Sequence, residues 1–116
     1  MQATPASKIT IALTILCAAV TAVVHLVLGV RDLSTPFGIV FVLNGLGFIG
    51  LTGLYLLPLE ALRPFRALLR WGLIGFSAVT FILYFVFNGL KIDAISGVTK
   101  AAELALIGLL LNDRRR

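Results

Sequence analysis

Lys100 and Glu103 lie three residues apart inside an apolar run, Asp93 to Asp113, DAISGVTKAAELALIGLLLND, that is long enough to cross a bilayer. A charge near the middle of such a span costs about 2.5–3.5 kcal/mol on insertion scales, so it normally turns inward, meets a partner and marks a path for ions, protons or substrate. Two readings follow. In one, Glu103 is a titrating group that Lys100 holds ionised. In the other the pair is structural: residues three apart on a helix neutralise each other, and Lys100 stretches its aliphatic stem toward the outer headgroups. His25, the single histidine, has an unperturbed pKa of about 6.5 and suits a proton relay. Asn44 and Tyr84 add polar groups in the second and third apolar runs. For His25 and Asn44 the competing role is an interhelical hydrogen bond.

Other chemistries lack their residues. One histidine and one cysteine cannot build a structural zinc site, and bis-histidine haem would need a symmetric dimer. No serine-histidine-acid arrangement, second carboxylate near Glu103 or phosphate loop is present, so neither an enzyme nor a cofactor is expected. Gly45 to Gly50 reads G-x-G-x-x-G, but the dinucleotide fingerprint needs a preceding strand and a soluble helix, whereas this string lies in an unbroken apolar run.

The elements that carry these residues follow from composition. With 59% hydrophobic and 13% charged residues, the chain is too apolar for a soluble domain, in which about 25% are charged. Its mean hydropathy is +1.07. The fold class expected is all-α: a polytopic membrane protein, an antiparallel bundle of four transmembrane helices in one domain, residues 1–116, with spans near 9–30, 37–57, 71–87 and 94–111. The first run exceeds the apolar core of a signal peptide and no small-x-small site follows, so it is read as a span. Leu16 before Cys17 argues against a lipoprotein site, and a lone cysteine forms no intrachain disulfide. Ser34-Thr35-Pro36 is a turn, an N-cap and a first-turn proline; Pro58 ends the second helix, Asn88-Gly89 the third, and Asp93 caps the fourth. Gly47, Gly50 and Gly53 recur every three residues and predict a face for close helix packing. Phe81, Phe85 and Phe87 are expected to face lipid or fill packing.

The net charge of +5 is distributed along span ends, which excludes a nucleic-acid surface and gives a topology. Lys8, Arg63, Arg66, Arg70 and Arg114 to Arg116 share the side holding both termini, against Arg31 and Lys91 opposite. Both termini are therefore expected in the cytoplasm, with the segment from Pro58 to Arg70 at the interface. Polar stripes then set the helix faces: Thr14, Ala18, Thr21 and His25; Ser77, Thr80, Tyr84 and Asn88; Ser96, Thr99, Lys100 and Glu103. At ~1.5 Å per residue, His25, Asn44, Thr80, Lys100 and Glu103 fall roughly 7–14 Å below the outer ends of their spans, with Tyr84 slightly above. A cavity opening outward, lined by His25, Asn44, Tyr84, Lys100 and Glu103, is the expected site.

Thr21 to Gly29, TAVVHLVLG, and Phe37 to Gly50, FGIVFVLNGLGFIG, resemble small four-span prokaryotic integral membrane proteins with a domain of unknown function. That resemblance implies a location in the prokaryotic cell (inner) membrane and no established activity. In size and span count the chain also resembles small multidrug transporters, which place their essential glutamate in the first helix, where this chain has no acid. The first functional expectation is a unit, as a homo-oligomer surrounded by membrane lipid, that binds or transports a small solute, proton or lipid. The alternative is an accessory subunit packed into a larger membrane complex through its second helix. A haem- or quinone-binding electron carrier is the weaker third.

Overall fold

The computed structural model describes residues 8–113. Helix α1 is Lys8–Arg31 and α2 is Pro36–Leu56; a 3-10 helix, Glu60–Phe65, leads into α3, Arg66–Asn88, and α4 is Ala94–Asn112. Among the described residues there is no strand. Four helical segments are each long and apolar enough to cross a membrane. Arg114 to Arg116, counted above in the charge asymmetry, lie outside the described residues.

Local chemistry sets the ends. The Thr35 hydroxyl accepts from Gly38 N at 3.3 Å with Pro36 in the first turn of α2, and Asp93 Oδ1 accepts from Ser96 N at 2.8 Å at the start of α4. Both side chains satisfy backbone N–H groups that have no partner within a helix. Gly89 adopts φ +65° and stops α3, a conformation that only glycine reaches at little cost. The third helix begins at Arg66, five residues before the expected Trp71. The apolar run starts at Trp71, but Arg66, Ala67, Leu68, Leu69 and Arg70 are all strong helix formers, and the helix continues back to Pro64 and Phe65. Hydropathy marks the apolar limit of a helix, not its hydrogen-bonded limit.

The helices form a ring in chain order, α1 against α2 and α4, α3 against α2 and α4, within 50 × 25 × 21 Å. Both interhelical connections at one end (32–35 and 89–93) define the loop end; the 3-10 helix and the outer ends of α1 and α4 define the termini end. The apolar core, Phe48, Tyr55, Leu73, Leu106 and Leu110 with Ala18, fills the half nearer the termini, and Ala22 extends it toward the loop end. Outward faces are apolar as well: Leu16, Val23, Ile39, Leu46, Val79, Leu83 and Leu104 are exposed.

Of Gly47, Gly50 and Gly53, the glycine face expected for close helix packing, only Gly47 lies against a neighbouring helix, and the closest backbone approach is at other glycines. A Cβ built at Gly50 or Gly53 meets nothing within 4 Å, and one at Gly47 meets the Phe76 ring at 2.5 Å. The backbones approach instead at Gly29, Gly38 and Gly45, where a Cβ would lie 2.7 Å from the Gly38 carbonyl oxygen, 1.9 Å from that of Asp32 and 2.9 Å from that of Ala22, respectively. Geometry explains the difference. At about 100° per residue, three steps fall short of a turn by about 60°, so Gly47, Gly50 and Gly53 fan across about 120° of the helix. Seven steps miss two turns by only about 20°, so Gly38, Gly45 and Thr52 keep one face, and that face meets α1.

Candidate functional site

The polar faces of α1 and α4 meet in the half of the bundle nearer the loop end. Glu103 is 0% exposed and Lys100 is 6% exposed, with Lys100 Nζ 2.6 Å from Glu103 Oε1. That oxygen has the ammonium as counter-charge and no aligned hydrogen bond, while Oε2 accepts from the Thr21 hydroxyl at 2.8 Å. Lys100 therefore does not reach for the end of its helix; its charge stays inside against Glu103. Aromatic rings of α3 close the remaining side, the ammonium standing 5.0 Å from the Tyr84 centroid and 5.7 Å from that of Phe81. Each ring presents its negative face to the cation.

Thr21 links the pair to the histidine. His25 Nδ1 donates to the Thr21 carbonyl at 2.7 Å and stands 3.3 Å from the Thr21 hydroxyl, one turn along α1. Nδ1 thus carries a hydrogen, which goes to the carbonyl, and the Thr21 hydroxyl beside it donates to Glu103 Oε2. The imidazole packs edge-on against Phe41, with centroids 5.4 Å apart, and beside Phe48.

Asn44 and Tyr84 turn elsewhere than expected. Asn44 Nδ2 donates to the Thr80 hydroxyl at 2.8 Å, joining α2 to α3, and Oδ1 is buried with no hydrogen-bond partner among the described residues. The Tyr84 ring covers Lys100, but its hydroxyl donates to the Lys91 carbonyl at 2.5 Å in the α3–α4 connection. His25, Lys100, Glu103 and the Tyr84 ring make one cluster; Asn44 belongs to a separate contact. The cluster is closed. Two grooves lie elsewhere on the surface, one of about 370 Å³ along Thr10, Cys17 and Asn112 and one of about 420 Å³ along Ala18, Thr52 and Leu56, and none of the five expected residues lines either. Lys100 and Glu103 instead pack against Thr21, Phe81 and Tyr84, and neither groove opens on them. Among the described residues no group of three His, Cys, Asp or Glu could hold a metal.

The family of unknown function DUF7475 matches residues 1–111. The chain belongs to this family. No curated protein and no solved structure matches it. As a DUF7475 member the chain inherits no assigned chemistry, so its site rests on its own residues.

Three of those residues escaped sequence reasoning. Thr21 sits on the same stripe as His25 and, about 15 Å from the loop end, is level with Glu103 at about 14 Å; matching depths across helices would have found it. Phe81, one turn before Tyr84, was assigned to lipid or packing because an aromatic ring carries no polar signal in a sequence. Asp113, buried at the end of α4, takes a hydrogen bond from the hydroxyl of Tyr55, which is 1% exposed. Arg70 of α3 donates there to the Leu110 carbonyl at 3.2 Å and the Asp113 carbonyl at 3.4 Å. A guanidinium thus covers the last carbonyls of α4, where the helix dipole favours a cation.

Proposed function

We propose that this DUF7475 protein is an integral membrane protein that handles protons at Glu103, coupled to the binding or passage of a small solute. The observation that carries this reading is the succession of His25 Nδ1, the Thr21 hydroxyl 3.3 Å from it and Glu103 Oε2 2.8 Å beyond, ending on a carboxylate withdrawn from solvent. A proton added at Nε2 reaches Oε2 through the hydroxyl once the imidazole turns its Nδ1–H from the Thr21 carbonyl, 2.7 Å away, to the Thr21 hydroxyl, 3.3 Å away. Lys100 Nζ stands 2.6 Å from Oε1, so a proton that arrives at the carboxylate weakens this pair and frees the ammonium to shift; Lys100 links Glu103 to conformation. The apolar outer faces of four span-length helices support the membrane location, since a soluble monomer rarely exposes contiguous apolar patches beyond a few hundred Å². An exposed pair of that kind would add little, whereas a buried ion pair is commonly no better for stability than apolar residues of similar size, so its presence here favours a working role.

The test is proton movement into vesicles carrying the purified protein and an internal pH dye. Wild type and Thr21→Ser respond to an imposed gradient, and Glu103→Gln and Thr21→Val do not. Equal responses from Glu103→Gln and wild type refute the mechanism. A second reading, an accessory subunit in a larger assembly, draws on Gly50 and Gly53, which lie exposed with nothing within 4 Å of a built Cβ. Gly50→Leu that abolishes co-purification of a partner while Glu103→Gln does not would favour it.

A further inference from the structure

We propose that Phe81, Tyr84 and Glu103 form a receptor for an ammonium group, and that Lys100 occupies it as a tethered ligand. The inference rests on Glu103 being a working carboxylate, and it adds the chemical class of what that carboxylate binds. Two ring faces within about 6 Å of a cation, together with a carboxylate, are the constellation by which proteins hold ammonium and quaternary ammonium groups. Here the rings stand 5.0 and 5.7 Å from Lys100 Nζ and the carboxylate oxygen 2.6 Å. The three receptor groups come from two helices, Phe81 and Tyr84 from α3 and Glu103 from α4.

Three features make the lysine displaceable. Lys100 lies six residues after the first residue of α4, roughly 9 Å from the loop end. Helical side chains lean toward the N-terminus of their helix, which in α4 is the loop end, so an outward rotamer lets the stem lie along apolar surface while the ammonium reaches water. Exchange is also electroneutral: one ammonium leaves Glu103 as another arrives, and the buried carboxylate is never without a counter-charge. Tyr84 controls the entrance, because its ring walls the receptor while its hydroxyl holds the Lys91 carbonyl of the loop.

The ligand is an ammonium group, carried either by a free organic cation or by a lipid headgroup. The test uses the full chain in phosphatidylglycerol nanodiscs, with tetramethylammonium as the soluble probe and phosphatidylcholine as the lipid probe. Lys100 is acetylated and quantified by peptide mass spectrometry with Lys91 as internal reference. Displacement predicts at least a fivefold rise in Lys100 acetylation with probe over an equal concentration of sodium, and none at Lys91. A rise with tetramethylammonium alone identifies a free cation, and a rise in phosphatidylcholine nanodiscs identifies a headgroup. Lys100→Ala should bind tetramethylammonium at least tenfold more tightly than wild type, and Lys100→Ala with Glu103→Gln should lose that gain. Unchanged Lys100 acetylation in both arms overturns the proposal whether or not Lys100→Ala folds, as does tight binding that survives Glu103→Gln. If acetylation is unchanged while Glu103→Gln still abolishes the pH response of vesicles, this inference falls and the proton role stands.

Discussion

Replacing Thr21 with valine removes one hydroxyl and almost no volume, so it isolates the hydrogen bond to Glu103. Thr21 and Glu103 are both 0% exposed, and water cannot take the place of the lost donor. Two magnitudes compete. Neutral hydrogen bonds between membrane helices average about 0.6 kcal/mol, because the unfolded chain in the membrane finds other partners. Bonds to a charged group contribute about 1.5–3 kcal/mol, because an ion left without a donor bears its full desolvation penalty. The acceptor here is a carboxylate at 2.8 Å whose other oxygen relies on Lys100 alone, so the larger value governs. Thr21→Val should therefore lower the unfolding free energy in detergent micelles by about 1.5–3 kcal/mol. Thr21→Ser keeps the hydroxyl and loses one methyl group, about 0.8 kcal/mol. The assay is reversible denaturant unfolding followed by Trp71 fluorescence and by circular dichroism. A valine variant as stable as the serine variant would refute the claim that Thr21 holds the carboxylate.

Lys100→Met leaves Glu103 buried without its cation and should cost about 3–5 kcal/mol, whereas Lys100→Met with Glu103→Leu should return to within about 1 kcal/mol of wild type; the same unfolding titration reports both, and a double variant as unstable as the single one contradicts the buried-charge argument. Gly45→Leu drives a side chain into Leu26 and the Ala22 carbonyl and should cost upwards of about 3 kcal/mol, while Gly50→Leu, with open space around it, should change stability by less than about 0.5 kcal/mol. Thermal midpoints of the two variants check this, and equal losses would move the α1–α2 contact to the wrong face. The Ser96 hydroxyl and N–H hold the Asp93 carboxyl below its usual value of 3.8. Its folded pKa is depressed, so the cap's contribution is present above the unfolded value and is lost as pH falls through the folded one. Amide protection in the first turn of α4, taken relative to the intrinsic exchange rate at each pH, should fall in that acid window in wild type and stay flat in Asp93→Asn, which caps without titrating; wild-type protection that does not change with pH would show that the cap is not the carboxylate.

What could be read from sequence divides by range. Helix number, the starts at Thr35 and Asp93 and the stops at Pro58 and Gly89 are local, set by apolar run length and by single residues with one backbone role. The shared depth of His25, Lys100 and Glu103 was also legible, because rise per residue places them without knowing which helices touch. Neighbours were not. A stripe gives the direction of a side chain and not what it meets, so Asn44 was placed with the charges and instead bonds to Thr80. Tyr84 was placed by its hydroxyl, yet its ring is the part that faces Lys100. The glycine face held only at Gly47, which meets Phe76: three-residue recurrence looks regular in a sequence but rotates around the helix, and the seven-residue pair Gly38 and Gly45 was the one on a constant face.

The kinds of contact differ around the ring, and that difference indicates where the bundle yields. Helices α1 and α2 approach backbone to backbone at Gly29, Gly38 and Gly45, which leaves no room for relative movement without losing many contacts at once. At the termini end α4 is tied to α2 through Tyr55 and Asp113 and to α3 through Arg70. At the loop end α3 meets the charge of α4 with the rings of Phe81 and Tyr84. A ring face over a desolvated cation contributes about 2 kcal/mol, comparable to the ~1.5–3 kcal/mol of a hydrogen bond to a charged group. Separating the loop end of α3 from α4 would take both rings off Lys100 and load the Tyr84 hydrogen bond to the Lys91 carbonyl, with the Arg70 contacts as its fixed end. That opening would let Lys100 leave while Thr21 stays on Glu103, so the carboxylate would exchange its cation and keep its connection to His25.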